Sequence, residues 1–163
     1  MKKFISTNYL ILLLSISLYS CNNIAPKNNQ TDEGGGTKEL ITAYLAIKDA
    51  LVETDREKAK SKAENFQNIA KSEEGLAELN TLAGKIAMSE TIEDQRFHFY
   101  ELSDGMYTYL KENTLNITLY KQFCPMAFNN SGGFWISDSK EILNPFFGSK
   151  MLNCGVVQET LGE

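Results

Sequence analysis

Two short sulfur-bearing clusters stand in the last third of the chain, Cys124-Pro125-Met126 and Met151-Leu152-Asn153-Cys154. Each sets a thiol beside a thioether at close spacing. In an extended segment residues two apart point to the same side, so Cys124 and Met126 face one way. In a helical turn residues three apart share a face, so Met151 and Cys154 can converge. Two thiols and two thioethers brought together make a soft site, suited to monovalent copper far better than to calcium or magnesium.

A third cysteine, Cys21, belongs to a different chemistry. It follows a positive start at Lys2 and Lys3 and the short apolar run Tyr9-Leu10-Ile11-Leu12-Leu13-Leu14-Ser15-Ile16-Ser17-Leu18. That run is short for a permanent span and reads as a secretory signal. It ends in Leu18-Tyr19-Ser20-Cys21, which resembles a bacterial lipobox and makes Cys21 the lipidated first residue of the mature protein. The bland alternative is an ordinary signal peptide with an incidental cysteine. Asn22, where an inner-membrane lipoprotein of enteric bacteria tends to carry aspartate, leans the expected location toward the outer membrane, facing the periplasm.

These features divide the chain into a signal over 1–20, a polar Gly/Asn-rich tether over 21–36 and one folded domain over 37–163. The tether has too little apolar surface to offset its ordering entropy. Removing Lys2 and Lys3 with the signal changes 16 basic against 21 acidic residues to 14 against 21, a net charge of −7. Such acidity argues against nucleic acid and against docking on anionic lipid. The membrane is then reached through the lipid anchor.

The elements that must position the sulfur clusters are mostly helices. Leu40, Tyr44, Ile47 and Leu51 recur at helical spacing. Thr54-Asp55-Arg56-Glu57 fits a capping box ahead of a stripe of Ala59, Ala63, Phe66 and Ala70. Ser72-Glu73-Glu74 reads as another start, before Leu76, Leu79, Ala83 and Ile86. Thr91-Ile92-Glu93-Asp94 opens a last helix whose apolar side includes Ile92, Phe99, Leu102, Met106 and Tyr109. Short connections favour antiparallel neighbours. The expected fold is mainly α, an up-down bundle of three or four helices over 37–113, with a small C-terminal β/loop extension over 114–163. In that tail Leu115–Tyr120 alternates, and Phe134-Trp135-Ile136 follows the turn signal Asn129-Asn130-Ser131-Gly132-Gly133. A patch of two or three strands is too small to stand alone, so a metal or a disulfide is expected to tie its loops down.

The segments Gln122-Phe123-Cys124-Pro125-Met126-Ala127, Phe134-Trp135-Ile136-Ser137, Glu141-Ile142-Leu143-Asn144-Pro145-Phe146-Phe147-Gly148 and Lys150-Met151-Leu152-Asn153-Cys154-Gly155 resemble, in order and spacing, the bacterial family called domain of unknown function 3347. Tyr44–Leu51 and Gln95–Phe99 resemble its helices. Members of that family occur as stand-alone lipoproteins and attached to periplasmic adaptor subunits of heavy-metal efflux pumps. The resemblance implies metal handling, an efflux adaptor as partner, and motif positions at Cys124, Met126, Met151 and Cys154, with His98 as a further candidate ligand.

Competing readings remain at each position. Methionine is more often a core filler than a ligand. Two cysteines in an oxidising compartment usually pair, so a Cys124–Cys154 disulfide stands against metal. His98, the one histidine, can complete a Cys/Met/His set only if the tail packs on the last helix. Met106 shares that face, and Trp135 would cover a cuprous ion by a cation–π contact or simply fill the core. Zinc on Cys124, Cys154 and His98 is the variant without thioethers. Phosphate-binding glycine loops, nucleophile elbows, zinc-protease and haem-attachment motifs are missing, which points away from an enzyme. Two functions follow as expectations. One is a lipid-anchored periplasmic domain binding a soft metal ion, copper above all, as chaperone, sensor or buffer linked to efflux. The other is a non-metal protein-interaction module stapled by a disulfide.

Overall fold

The computed structural model describes residues 35–162. The signal, Cys21 and nearly all of the tether lie outside them.

Four long helices come first: α1 (Gly35–Val52), α2 (Arg56–Ala70), α3 (Ala77–Met88) and α4 (Ile92–Glu112). α1 begins inside the last glycines of the stretch read as tether. Each helix packs on the next in sequence, which is the up-down arrangement. The apolar stripes face inward as their spacing demands. Leu40, Tyr44, Ile47 and Leu51 of α1 are fully buried. Ala59, Ala63 and Phe66 of α2 face them, and the alanines let the two helices approach closely. Met106 of α4 is fully buried in the core.

Two helix starts differ from the sequence pattern. The α2 cap is Asp55, whose carboxylate accepts from the Lys58 N–H at 2.9 Å. Thr54 is drawn away by a tertiary partner: its hydroxyl accepts from Arg96 Nη2 at 3.0 Å. Ser72 does not start α3. Its hydroxyl donates to the Ile69 carbonyl at 2.7 Å and so closes α2. Thr91 caps α4 as its sequence indicates, accepting from Asp94 N–H at 3.0 Å.

The tail forms a three-stranded antiparallel sheet in the order β2-β1-β3. Its strands are β1 (Leu119–Cys124), β2 (Gly133–Ser137) and β3 (Val156–Leu161). β1 begins four residues later than the alternating run. β3 has no counterpart among the strand signals, and it is exposed over most of its length. β2 packs against α4.

Two buried polar nodes join tail to bundle. The Ile136 N–H donates to the Tyr44 hydroxyl at 3.1 Å. Ser103 spends its own proton on the Phe99 carbonyl at 2.8 Å, so Tyr44 donates to Ser103 Oγ at 2.7 Å. Burial pushes the Tyr44 phenol well above its ordinary pKa. In the second node buried Arg96 donates through Nε to the Pro145 carbonyl at 2.9 Å and through Nη2 to Leu51 O at 3.3 Å. Burial lowers its pKa. Gly148, at φ +57, lies so close to Thr54, Arg96 and the Val52 carbonyl that a Cβ there has no room.

Candidate functional site: the Cys124 and Cys154 thiols

Cys124 is the last residue of β1, buried and in register with Gly133 of β2. Cys154 ends the loop that precedes β3. There a short 3-10 turn over Gly148–Lys150 leads into a second turn, closed by Cys154 N–H donating to Met151 O at 3.1 Å. Strand and turn bring the two sulfur atoms to 2.6 Å of each other. The Cys124 thiol beside it holds the Cys154 pKa above the usual cysteine range, and burial adds to the shift. The Met126 backbone N–H, directed at Cys154, pulls it the other way.

Both sulfur clusters therefore meet, through their cysteines, at one end of the sheet. Met126 is 48% exposed at the surface beside them. Met151 is half-buried at the start of the Cys154 turn. The donor chemistry fits a soft monovalent ion. As they stand the two thiols are free and lie within reach of a disulfide, whose bond is about 2.05 Å. Two thiolates sharing a zinc-sized ion bond it at about 2.3 Å each, so metal capture requires the sulfurs to part.

His98 is placed apart from this pair. Its Nδ1 is 2.8 Å from Glu101 Oε2, and Lys85 Nζ reaches the same oxygen at 3.4 Å. The His98 hydrogen bond is the main reason the Glu101 carboxyl sits below its ordinary range. Among the described residues no three His, Cys, Asp or Glu side chains gather as a metal-holding group. The zinc arrangement of Cys124, Cys154 and His98 is thus not assembled. Trp135 is fully buried, edge-on to Phe146 at 5.6 Å. Its ring lies against Gly155, 3.0 Å from where a Cβ would stand. The indole therefore supports the residue next to Cys154.

After Met126 the chain makes an unusual turn. Phe128, Asn129 and Asn130 all have left-handed φ, at 52°, 58° and 66°. Such residues cost about 1–2 kcal/mol each relative to the right-handed form, least for asparagine. The turn aims the Phe128 ring at Tyr100 and Phe146, with centroids 5.1 and 5.0 Å away. Those aromatic contacts and the Gly132 N–H bond to Ala127 O at 3.0 Å hold it.

Asn144 is the residue whose part in the site the sequence did not disclose. Its segment Asn144-Pro145 carries only a turn signal. It is fully buried. Its side-chain Nδ2 donates to the Cys154 carbonyl at 2.7 Å, and its Oδ1 accepts from Phe146 N–H at 2.8 Å. Its main-chain N–H donates to Leu152 O at 2.8 Å.

No helix among the described residues is long and apolar enough to cross a membrane. Residues 40–118 match the family model described as protein of unknown function, DUF3347. The match runs from α1 through α4 and ends just before β1, so the thiol pair lies beyond it. No curated protein and no solved structure matches the chain.

Proposed function

We propose that this chain, whose residues 40–118 match the DUF3347 family model, serves as an exported, lipid-anchored domain that binds a soft metal ion, monovalent copper, on Cys124 and Cys154. Its role is that of a chaperone, sensor or buffer beside a metal-efflux system, with an efflux adaptor as its protein partner. Lipidation at Cys21 holds it to the envelope, facing the periplasm. The observation that carries the proposal is the meeting of two thiols from separate sulfur clusters at 2.6 Å. Met126 and Met151 stand close in sequence to supply thioethers. Cys154, on a loop and only partly buried, is the side chain free to turn and open the pair around an ion. Reduction must come first, because a thiolate and not a disulfide is the ligand.

The test is titration of the reduced domain with monovalent copper against a chromophoric chelator, with thiols counted before and after. One ion per domain, protecting both thiols from alkylation, is expected. Cys124→Ser should weaken binding most, because a thiolate is charged, and Met151→Leu less. Wild-type affinity in both variants sinks the copper proposal.

A second reading rests on the same separation. The sulfurs stand within easy reach of a covalent bridge, and a permanent Cys124–Cys154 disulfide would make the tail a stapled module that docks a protein without metal. A domain purified from the envelope with no free thiols, and inert to copper after mild reduction, supports that reading.

A further inference from the structure

Both main chains that carry the thiols are fixed. Cys124 is locked in the centre strand of the sheet by its pairing with Gly133. Cys154 is braced on three sides: its N–H is held by Met151 O, its carbonyl by Asn144 Nδ2 at 2.7 Å, and the following Gly155 by the Trp135 ring. Only one of these braces is a side-chain amide with no other donor task. Asn144 ties the two ends of the loop 144–154 together, because it also receives Phe146 N–H and donates its own N–H to Leu152 O. With both main chains held, the pair parts by side-chain rotation, and on the partly buried Cys154 that rotation is anchored at the clamped carbonyl.

We propose that Asn144 is a positioning residue that sets how readily Cys124 and Cys154 bond to each other, and so how available they are to a soft metal ion. The inference rests on the assignment of that pair as the functional centre. Its physical content is effective concentration: a clamped Cys154 keeps its sulfur beside Cys124, which favours the bridged form over two separate thiols. Formation of the bridge removes two protons and two electrons from the two thiols. The oxidant in the experiment is glutathione disulfide, which is reduced to two glutathione thiols.

The experiment equilibrates the full chain with glutathione redox buffers, traps free thiols and counts them by mass. Asn144→Asp keeps the acceptor for Phe146 N–H but sets a carboxylate oxygen against the Cys154 carbonyl. Its bridged form should be about tenfold less favoured than that of the wild type, a shift of ~30 mV toward easier reduction. Asn153→Asp is the control. Its amide donates to Ile142 O at 3.0 Å and makes no hydrogen bond to the Cys154 carbonyl, so the wild-type potential is expected. A potential in Asn144→Asp equal to that of the wild type overturns the proposal.

A stability cycle covers the case of poor folding. The cost of Asn144→Ser in denaturant is compared in the oxidised chain and in a chain carrying Cys124→Ser and Cys154→Ser. Unequal costs support positioning; equal costs reduce Asn144 to a structural brace. Copper titration of the wild type is run alongside. If the wild type takes no monovalent copper, the metal function falls while the potentials still decide the role of Asn144.

Discussion

The main-chain N–H of Ile136 donates to the hydroxyl of Tyr44 across a sequence separation of 92 residues, at 3.1 Å. Tyr44 passes the interaction on to Ser103, and Ser103 to the Phe99 carbonyl. One buried phenol thereby satisfies a sheet donor and connects α1, α4 and β2.

Tyr44→Phe leaves the Ile136 N–H without a partner while keeping the ring that stacks on Phe99 at 5.0 Å. The expected loss is about 1–3 kcal/mol, the usual cost of a buried unsatisfied donor. Denaturant unfolding measures it, and an unchanged midpoint would show that the chain of hydrogen bonds is not needed.

Arg96→Lys tests the second node. A lysine has one nitrogen and cannot reach Pro145 O, Leu51 O and Thr54 Oγ1 with the fixed fork of a guanidinium. A loss of about 1.5–3 kcal/mol is expected from charged hydrogen bonds. The tail should also become the first site of proteolytic cleavage, read by mass spectrometry of limited digests.

Oxidation of the thiol pair closes a loop whose ends are 30 residues apart. In the chain-entropy account such a bridge stabilises by about 3–4 kcal/mol. The oxidised domain should therefore unfold at higher denaturant than the reduced one, and the Cys124→Ser variant should show no dependence on reductant.

Glu159 gives a pH prediction. Its carboxyl is held below the ordinary 4.5, first by the Tyr107 hydroxyl at 2.7 Å and then by Lys111 at 3.0 Å. A depressed carboxylate pKa contributes stability that is full above the unfolded value and is lost as pH falls through the folded one. The group is a third exposed, so screening holds the contribution to about 0–1 kcal/mol. Glu159→Gln should flatten the acid limb of the stability curve below about pH 4.5 and leave the neutral region nearly level. Equal acid limbs in the two proteins would remove Glu159 from the account.

The helices are legible because their stripes are regular, and α1 and α2 bury theirs residue for residue, as Leu40, Tyr44, Ile47 and Leu51 show. The Thr54–Glu57 pattern places the cap one position before Asp55; the difference arises because a partner 42 residues away, Arg96, takes the Thr54 hydroxyl. No local pattern reports that competition. β3 carries no local strand signal, since Val156 and Val157 are exposed and the strand shows no half-buried alternation. Spacing indicates which sulfurs share a side within each cluster, while the meeting of Cys124 with Cys154 is set by the pairing of β1 with β3. The separation of His98 from them and the amide of Asn144 beneath Cys154 depend on how the tail lies on the bundle, which short-range spacing does not encode.

The long reach from Tyr44 to Ile136 has a consequence for the order of assembly. Bringing distant segments together carries a loop-closure cost that local helix contacts largely avoid. A chain emerging from its amino end can pair α1 with α2, then α3 with α4, before the tail exists. The hydroxyl of Tyr44 and the guanidinium of Arg96 are then waiting receptors, and the sheet docks last. Cys124 and Cys154 both lie in that tail and become neighbours when β1 and the loop before β3 come together. Oxidant or metal that meets the nascent polypeptide earlier finds two separated thiols, so a completed site reports that the tail has closed on itself.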